Sequence, residues 1–231
     1  HTNAETKEMH YFDVLHDVRE QAHMLERIER LQNAASELQP DFDLENRKRL
    51  LELELLARRL RIYAGARTSH QAYLEYLMHG WSGQPVLCDI TPAYSTLGKN
   101  AFVDMASLGD TRFVFIMREP AERLWSQIRM EVQAQVEGVS NHETFEAKCL
   151  ERIRHLHEKR ALSALARADY ARTVCALEAA VPQERIHFVF HELEFGQETA
   201  DALCRFLGVA PHPVGGMARE LHGKPALLSE E

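Results

Sequence analysis

An unbroken apolar run at residues 113–117, Phe-Val-Phe-Ile-Met, constrains the fold more than any other part of the sequence. A β-rich run of this kind is typical of a strand that is buried on both faces of a parallel sheet. Arg118, Glu119 and Pro120 follow at once, and from residue 121 the apolar residues recur at helical spacing. Proline suits the first turn of a helix. We therefore predict a central strand that places Arg118 in a tight turn before a helix.

This turn is a candidate anion site. Ligands of open α/β sheets bind at the carboxyl ends of strands, where helix N-termini present unpaired N–H groups. The planar guanidinium of Arg118 suits phosphate, and Ser126, two turns along the predicted helix, offers a hydroxyl. The bare pattern leaves an alternative equally open, in which Arg118 forms an ion pair with Glu119 or Glu122.

The same segment resembles the 3′-phosphate-binding segment of sulfotransferases that use 3′-phosphoadenosine-5′-phosphosulfate (PAPS). That segment usually reads R-D-P-x-x-R-x-x-S after an apolar strand, and this chain has R-E-P-x-x-R-x-x-S, with Glu119 in place of the commoner aspartate. The resemblance implies that Arg118, Arg123 and Ser126 bind the 3′-phosphate of PAPS.

Composition restricts the partners of the chain. Its 231 residues are enough for one domain with a substantial core. The net charge is -8 and the isoelectric point about 5.9. Nucleic acids and anionic membranes select broad basic surfaces, so we expect neither as a partner. Any anion site must therefore be local.

The four cysteines are isolated in the sequence, at Cys88, Cys149, Cys175 and Cys204. Without C-x-x-C spacing they indicate neither a zinc site nor a disulfide framework, and we predict that they are reduced core residues. No segment approaches the length of a membrane span and no signal peptide is visible. We therefore expect a cytoplasmic protein.

A second motif lies at residues 7–13, Lys-Glu-Met-His-Tyr-Phe-Asp. In an extended strand Glu8 and His10 would share one side, which brings two proton-transfer groups together. For an arbitrary sequence, a polar strand end with solvated side chains is the commoner explanation. The segment closely resembles the K-E-x-H-[FY]-F-D motif of heparan-sulfate-type and many bacterial sulfotransferases. The resemblance implies that Glu8 is the general base and that Lys7, His10 and Asp13 line the acceptor site. His10 is the rival base, because imidazole titrates close to physiological pH.

Residues 85–94, Pro-Val-Leu-Cys-Asp-Ile-Thr-Pro-Ala-Tyr, predict a short strand at 86–88 that enters a loop fixed by a Thr-Pro pair. The segment resembles the [EG]-[EK]-x-T-P-x-Y segment of the same family. Heparan-type members have a lysine before Thr-Pro, whereas Ile90 stands here, so we assign no second catalytic lysine. We predict that Tyr94 contacts the substrate, although turn formation and packing explain it equally well.

Most of the remaining sequence has helical periodicity. Two helices between residues 14 and 80, with a turn near Pro40, predict a hairpin that lines the substrate cleft, packs internally or forms a homodimer contact. A third helix is predicted from Ser69 to residue 79, ending at Gly80. Further on, residues 143–180 are helical, 186–190 form a strand, and 199–207 form a helix closed by Gly208.

The C-terminal tail contains His222-Gly223-Lys224. Sulfotransferases close the 3′-phosphate site with a basic, glycine-containing loop, and this resemblance implies that Lys224 binds the cofactor. A glycine-rich surface loop without a ligand is the commoner explanation of the local sequence. The 5′-phosphosulfate loop of the family, K-x-G-T-[TS], is not found in the sequence. We therefore expect a chain truncated at both ends, and no sulfuryl transfer by these residues alone.

Together the patterns predict a single α/β domain over residues 1–231, with a three-layer P-loop-like fold and a helical-hairpin insertion at about 14–80. Its central, mainly parallel sheet would include strands within 9–12 and at 86–88, 113–117 and 186–190. The resemblance implies transfer of a sulfuryl group from PAPS to a hydroxyl or amine of a small-molecule, glycan or carrier-bound acceptor. The product nucleotide is 3′-phosphoadenosine-5′-phosphate, and no metal is needed. A P-loop-type nucleotide phosphotransferase and a non-catalytic nucleotide-binding or scaffold protein stay open.

Overall fold

The computed structural model describes residues 8–36, 44–65, 69–135, 142–159, 165–192 and 196–214. The chain divides into two compact units, the first formed by residues 1–111 with 179–181 and the second by residues 112–178 with 182–231. In the part of the chain that is described, the fold is α/β in the general sense, with many helices and one small parallel sheet.

The first unit is helical. Its helices are α1 (Tyr11–His16), α2 (Val18–Ser36), α3 (Leu44–Gly65), α4 (Gln71–Leu77) and α5 (Lys99–Ala106), with a 3₁₀ turn at Pro92–Thr96. The predicted hairpin is confirmed, since α2 and α3 pack against each other. Gly80 follows α4 with φ of 75°, in the left-handed region that glycine occupies without a Cβ clash.

Two predicted strands of this unit are wrong. Residues 9 and 10 are irregular chain and residues 11 and 12 form the start of α1, which begins at Tyr11. Residues 86–88 are also irregular. A strand needs a ladder partner, and the described residues of this unit contain no other strand with which either segment pairs.

Aromatic side chains from distant segments fill the core of the first unit. Tyr11 is 0% exposed and stacks on Tyr73, with ring centroids 4.2 Å apart and planes 7° from parallel. Phe12 meets Tyr73 and Tyr94 edge-on at 5.4 Å and 5.8 Å. Burial of a side chain such as Phe12 stabilises the fold by about 1.5–3 kcal/mol. Hydrophobic burial therefore selects the position of α1.

The second unit contains the sheet. Strands β1 (Phe113–Met117) and β2 (Ile186–Phe190) pair in parallel, in a register that runs from Phe113 opposite Ile186 to Met117 opposite Phe190. Both predicted ranges are confirmed. The prediction that β1 is buried on both faces is wrong, because Val114 is 36% and Ile116 is 52% exposed.

The helices of the second unit are α6 (Pro120–Gln135), α7 (His142–Glu158), α8 (Tyr170–Ala180) and α9 (Gln197–Leu207), with 3₁₀ turns at Ala166–Ala168 and Gln183–Arg185. As predicted, proline is the first residue of α6 and Gly208 ends α9, with φ of 70°. The α6–α7 core comprises Trp125, Ile128, Val132, Phe145 and Cys149.

The cysteine prediction is partly wrong. All four are free thiols, and Cys149 is a core residue at 0% exposure, but Cys175 is exposed and Cys88 and Cys204 are half-buried. Among the helices described, none is both long and apolar enough to cross a membrane.

Candidate functional site

In the first unit, His10 lies between two carboxylates. Its Nδ1 atom is 2.6 Å from Oδ2 of Asp13, and its Nε2 atom is 3.3 Å from Oε2 of Glu8. Asp13 is completely buried, whereas the side chains of Glu8 and His10 are 34% and 29% exposed. The structure thus brings together three residues that the sequence predicted, which we call the acid–imidazole cluster (Glu8, His10 and Asp13).

The cluster forms because the chain turns at His10. This residue precedes α1 with φ of 56° and ψ of 34°, and Asp13 is the third residue of the helix, so their side chains meet across the first turn. The prediction that an extended strand aligns Glu8 with His10 is therefore wrong in its geometry. The two side chains approach each other because the backbone bends between them.

Electrostatics assigns different roles to the two proton-transfer groups. The hydrogen bond with Asp13 raises the pKa of His10, and the charges of Asp13 and Glu8 add to the rise, while burial and the charge of Arg59 oppose it. A protonated imidazole has no lone pair with which to accept a proton. Asp13 is sealed from solvent and also accepts the N–H of Val14 at 3.0 Å. Glu8, with 34% of its side chain exposed, is thus the more accessible carboxylate of the cluster.

Helix α3 fixes the backbone of residues 8 and 9. Nη2 of Arg59 donates to the carbonyl of Glu8 at 3.0 Å, and the hydroxyl of Tyr63 donates to the carbonyl of Met9 at 2.8 Å. Burial raises the pKa of Tyr63, so its hydroxyl stays protonated and remains a donor. The helical hairpin therefore supports the cluster directly.

Tyr94 lies beside the start of α1. Its hydroxyl accepts the N–H groups of Tyr11 at 3.1 Å and Phe12 at 3.5 Å, and donates to Oδ2 of Asp89 at 2.7 Å. The predicted substrate contact of Tyr94 stays a prediction, but in this structure the hydroxyl is engaged by the protein. The sequence analysis did not single out Asp89. The hydroxyl of Thr91 also donates to Asp89, at 2.7 Å, and the position of Asp89 two residues before Thr91 is a local signal that could have indicated it.

Among the residues that the structure describes, one group of side chains is close enough to hold a metal ion. Ligand atoms of His10, Asp13 and Glu20 lie within 4.8 Å of one another. We assign no metal to this group, because each nitrogen of His10 faces a carboxylate of the cluster, at 2.6 Å and 3.3 Å. A metal bound here would have to displace the hydrogen bond between His10 and Asp13.

In the second unit, Arg118 stands at the carboxyl end of β1 as predicted. Its Nη2 atom lies 3.3 Å from Oε2 of Glu122, so the alternative ion pair is the one that this structure contains. Glu122 is 62% exposed, and an exposed pair four residues apart on a helix contributes only about 0.3–0.5 kcal/mol. A phosphate group can therefore replace it at little cost. Tyr170 holds the backbone here, with its hydroxyl donating to the carbonyl of Arg118 at 2.7 Å.

Carboxylates occupy the start of α6. Glu119 accepts the N–H of Glu122 at 2.6 Å, and Glu192, just after β2, accepts the N–H of Glu119 at 2.6 Å. This second hydrogen bond lowers the pKa of Glu192. The helix start is thus closed by negative side chains of the protein, and an anion at this edge would have to be bound by side chains.

Arg123 and Ser126 lie one turn apart on α6. Nη1 of Arg123 donates to Gln127 at 3.1 Å, while its Nε and Nη2 atoms are buried and meet no acceptor among the described residues. Burial lowers the pKa of Arg123; Tyr170 opposes this and the charge of Arg167 adds to it. The hydroxyl of Ser126 forms no hydrogen bond among the described residues. Two adjacent polar side chains of α6 therefore have unused hydrogen-bonding capacity.

The carboxylate one turn further along α6 is already engaged. Gln127 donates to Oε1 of Glu131 at 2.8 Å, and Arg152 of α7 donates to its Oε2 from Nη2 at 3.0 Å and from Nε at 3.1 Å. Glu131 therefore has its own arginine, and it is linked to Arg123 only through the Gln127 amide.

Lys7 and Lys224 lie outside the described residues, so their predicted roles stay predictions. Comparison with known proteins gave no match: no family model, no curated protein and no solved structure matches this chain. The resemblance to sulfotransferases thus rests on the motifs of the sequence.

Proposed function

We propose that the protein is a PAPS-dependent sulfotransferase of the three-layer, P-loop-like kind, with Glu8 as the general base and with Arg118, Arg123 and Ser126 as ligands of the 3′-phosphate. The observation that carries the proposal is the pair of buried, unpaired donors on Arg123 beside the unengaged hydroxyl of Ser126. Both residues stand where the R-E-P-x-x-R-x-x-S motif predicts phosphate ligands.

Charge and geometry favour an anion as the missing partner of Arg123. A buried donor without an acceptor loses its hydration and gains nothing in return, at a cost of about 1–3 kcal/mol. A guanidinium presents its N–H groups in a fixed planar fork that matches the oxygens of a phosphate. Arg167 adds a second positive charge near this position. A phosphate group supplies acceptors for both free donors, and Ser126 supplies a further neutral donor.

The acid–imidazole cluster supplies the proton acceptor. In the proposed reaction the acceptor oxygen attacks sulfur and forms a new S–O bond, while the S–O bond to the 5′-phosphate breaks and 3′-phosphoadenosine-5′-phosphate leaves. Glu8 takes the hydroxyl proton, because the raised pKa of His10 favours the protonated imidazolium, which has no lone pair. The imidazolium keeps Glu8 beside a positive charge and buried Asp13 holds the ring. Positioning and charge neutralisation provide the rate enhancement in such group transfers.

A thermal-shift experiment on the full-length protein tests the proposal. A ligand that binds only the folded state raises the unfolding midpoint, so 3′-phosphoadenosine-5′-phosphate should raise it more than ATP or adenosine 5′-phosphate at the same concentration. A response to ATP alone would instead favour a nucleotide phosphotransferase, and no response to any nucleotide would favour a scaffold protein.

Sulfuryl transfer itself requires a second assay. PAPS labelled in the sulfuryl group is incubated with pooled alcohols, glycans and amines, and labelled product is detected by mass spectrometry. The Glu8→Gln variant is the matched control, since it keeps the shape of the side chain and removes the base. Label transfer that is equal for both proteins would contradict the role of Glu8.

A further inference from the structure

The hydroxyl of Tyr94 connects two parts of the first unit that are far apart in sequence. It receives two backbone N–H groups, from Tyr11 and Phe12, and its own hydrogen points to Oδ2 of Asp89 at 2.7 Å. Burial and then Asp89 raise the pKa of Tyr94 well above its usual value, so the hydrogen stays on the phenol. The direction of the hydrogen-bond chain is therefore fixed, from the start of α1 through Tyr94 to Asp89.

Asp89 collects three hydroxyl donors. Tyr73 and Tyr94 both donate to Oδ2 at 2.7 Å, and Thr91 donates to Oδ1 at 2.7 Å. A carboxylate that accepts several short hydrogen bonds is held in one orientation, and its charge makes each bond stronger than a neutral one. Asp89 thus holds the Tyr94 hydroxyl in place and strengthens it as an acceptor for the α1 N–H groups.

The backbone between these anchors is strained. His10 is the one described non-glycine residue with a positive φ, at 56°, a conformation that brings Cβ too close to the following carbonyl oxygen. Its own side chain makes no capping hydrogen bond to α1. Arg59 and Tyr63 hold the carbonyls that precede His10, and Tyr94 holds the N–H groups that follow it. The strained turn is therefore fixed from both sides.

We propose that Asp89 and Tyr94 form a positioning pair that holds the turn at His10 and thereby keeps the imidazole between Glu8 and Asp13. The pair acts through the backbone of Tyr11 and Phe12 and does not touch the reacting groups. Its importance for catalysis rests on the proposed function, because that function makes Glu8 the base. The positioning itself is a property of the folded chain and is measurable without any substrate.

Tyr94→Phe is the decisive variant, and Tyr73→Phe is its matched control. Each change removes one hydroxyl that donates to Oδ2 of Asp89 at 2.7 Å and keeps the aromatic ring. Of these two hydroxyls, the one on Tyr94 accepts N–H groups of α1, from Tyr11 and Phe12. General loss of stability should therefore be similar in the two variants, whereas disturbance of the cluster should occur in Tyr94→Phe alone.

The main readout is the pKa of His10, which is measured by NMR from the imidazole C–H signals of the full chain as pH is varied. The charged groups that face the ring are Glu8 and Asp13, with Glu20 close by and Arg59 from α3. In Tyr94→Phe the ring moves away from Asp13, and the pKa of His10 should fall toward the value of about 6.5 for a free imidazole. In Tyr73→Phe it should remain that of the wild type.

Amide hydrogen exchange at Tyr11 and Phe12 gives a second readout. Loss of the Tyr94 acceptor should raise the exchange rate at these two amides by about tenfold, the order expected for the loss of one hydrogen bond. An unchanged His10 titration in a folded Tyr94→Phe protein would overturn the proposal. An equal change in Tyr73→Phe would also overturn it, since the effect would then be a general loosening of the core.

Asp89→Asn replaces Tyr94→Phe if the latter does not fold. This variant keeps the Tyr94 phenol and removes the charge that orients it, so the pKa of His10 should again fall. An unchanged pKa of His10 would overturn the proposal. If the full-length wild-type protein transfers no sulfuryl group, the proposed function fails while these NMR results still decide the positioning. If it does, Tyr94→Phe should lower kcat and leave the KM for PAPS unchanged.

Discussion

Replacement of Arg123 by methionine is predicted to weaken nucleotide binding and to stabilise the ligand-free protein. Nε and Nη2 of Arg123 are buried without acceptors in the described chain. If the 3′-phosphate is their partner, Arg123→Met removes one side of a buried charge pair, which costs about 2–5 kcal/mol. The dissociation constant of 3′-phosphoadenosine-5′-phosphate should thus rise by about 30-fold to 4,000-fold.

Stability should change in the opposite direction. Without ligand, the two unpaired donors carry a desolvation cost, and we take about 1 kcal/mol, the low end of the usual range, because the side chain is only partly buried. Methionine has a similar length and no donors. For a chain of this size, 1 kcal/mol corresponds to an increase in Tm of about 2–4 °C. A gain in stability with a loss of binding is typical of residues kept for function.

Isothermal calorimetry with 3′-phosphoadenosine-5′-phosphate and thermal unfolding without ligand measure the two effects. Arg129→Met is the control on the same helix. Burial raises the pKa of Cys149 in α7 and the charge of Arg129 opposes this, which places Arg129 on the face of α6 near α7. That variant should keep nucleotide affinity. If Arg123→Met lowers Tm and leaves affinity unchanged, Arg123 is a structural residue and the phosphate assignment is refuted.

Three further predictions follow from the same residues. Arg118→Ala should weaken the binding of 3′-phosphoadenosine-5′-phosphate by about 1.5–3 kcal/mol and hardly change the binding of adenosine 5′-phosphate. Equal losses of binding free energy for both nucleotides in calorimetry would show that Arg118 is a structural residue. Glu8→Gln should lower kcat by about 10²–10⁴ with little change in nucleotide affinity, and His10→Ala should act less on kcat and more on the acceptor KM; the reverse result in steady-state kinetics would make His10 the base. Because the pKa of His10 is raised in the folded state, its contribution to stability is fully present below about pH 6.5 and is lost as pH rises through the folded-state pKa. The free energies of unfolding of wild type and His10→Gln, measured with urea, should therefore converge as pH rises. A difference that stays constant with pH would contradict the ion pair with Asp13.

The second unit shows how much of a fold local patterns can predict. The ranges of β1 and β2 match the predicted ones, and α6 begins at Pro120 as expected. In each case the signal is local, either a run of β-rich apolar residues or a proline whose fixed φ suits a first helical turn. The partial exposure of one face of β1, where Ile116 is 52% exposed, was not predictable from the sequence. It depends on which elements of the fold cover the sheet.

The sequence by itself determined the periodic elements of this protein and the residue types of its motifs, including Glu8, His10 and Asp13 in one segment. Tertiary structure alone decided how these three side chains meet. Segment 9–12 reads as a strand locally, yet Tyr11 begins a helix whose N–H groups are accepted by Tyr94, 83 residues away. Local propensity cannot anticipate such a contact, because burial of Tyr11 and its hydrogen bond to a distant phenol outweigh the small backbone preferences that distinguish strand from helix.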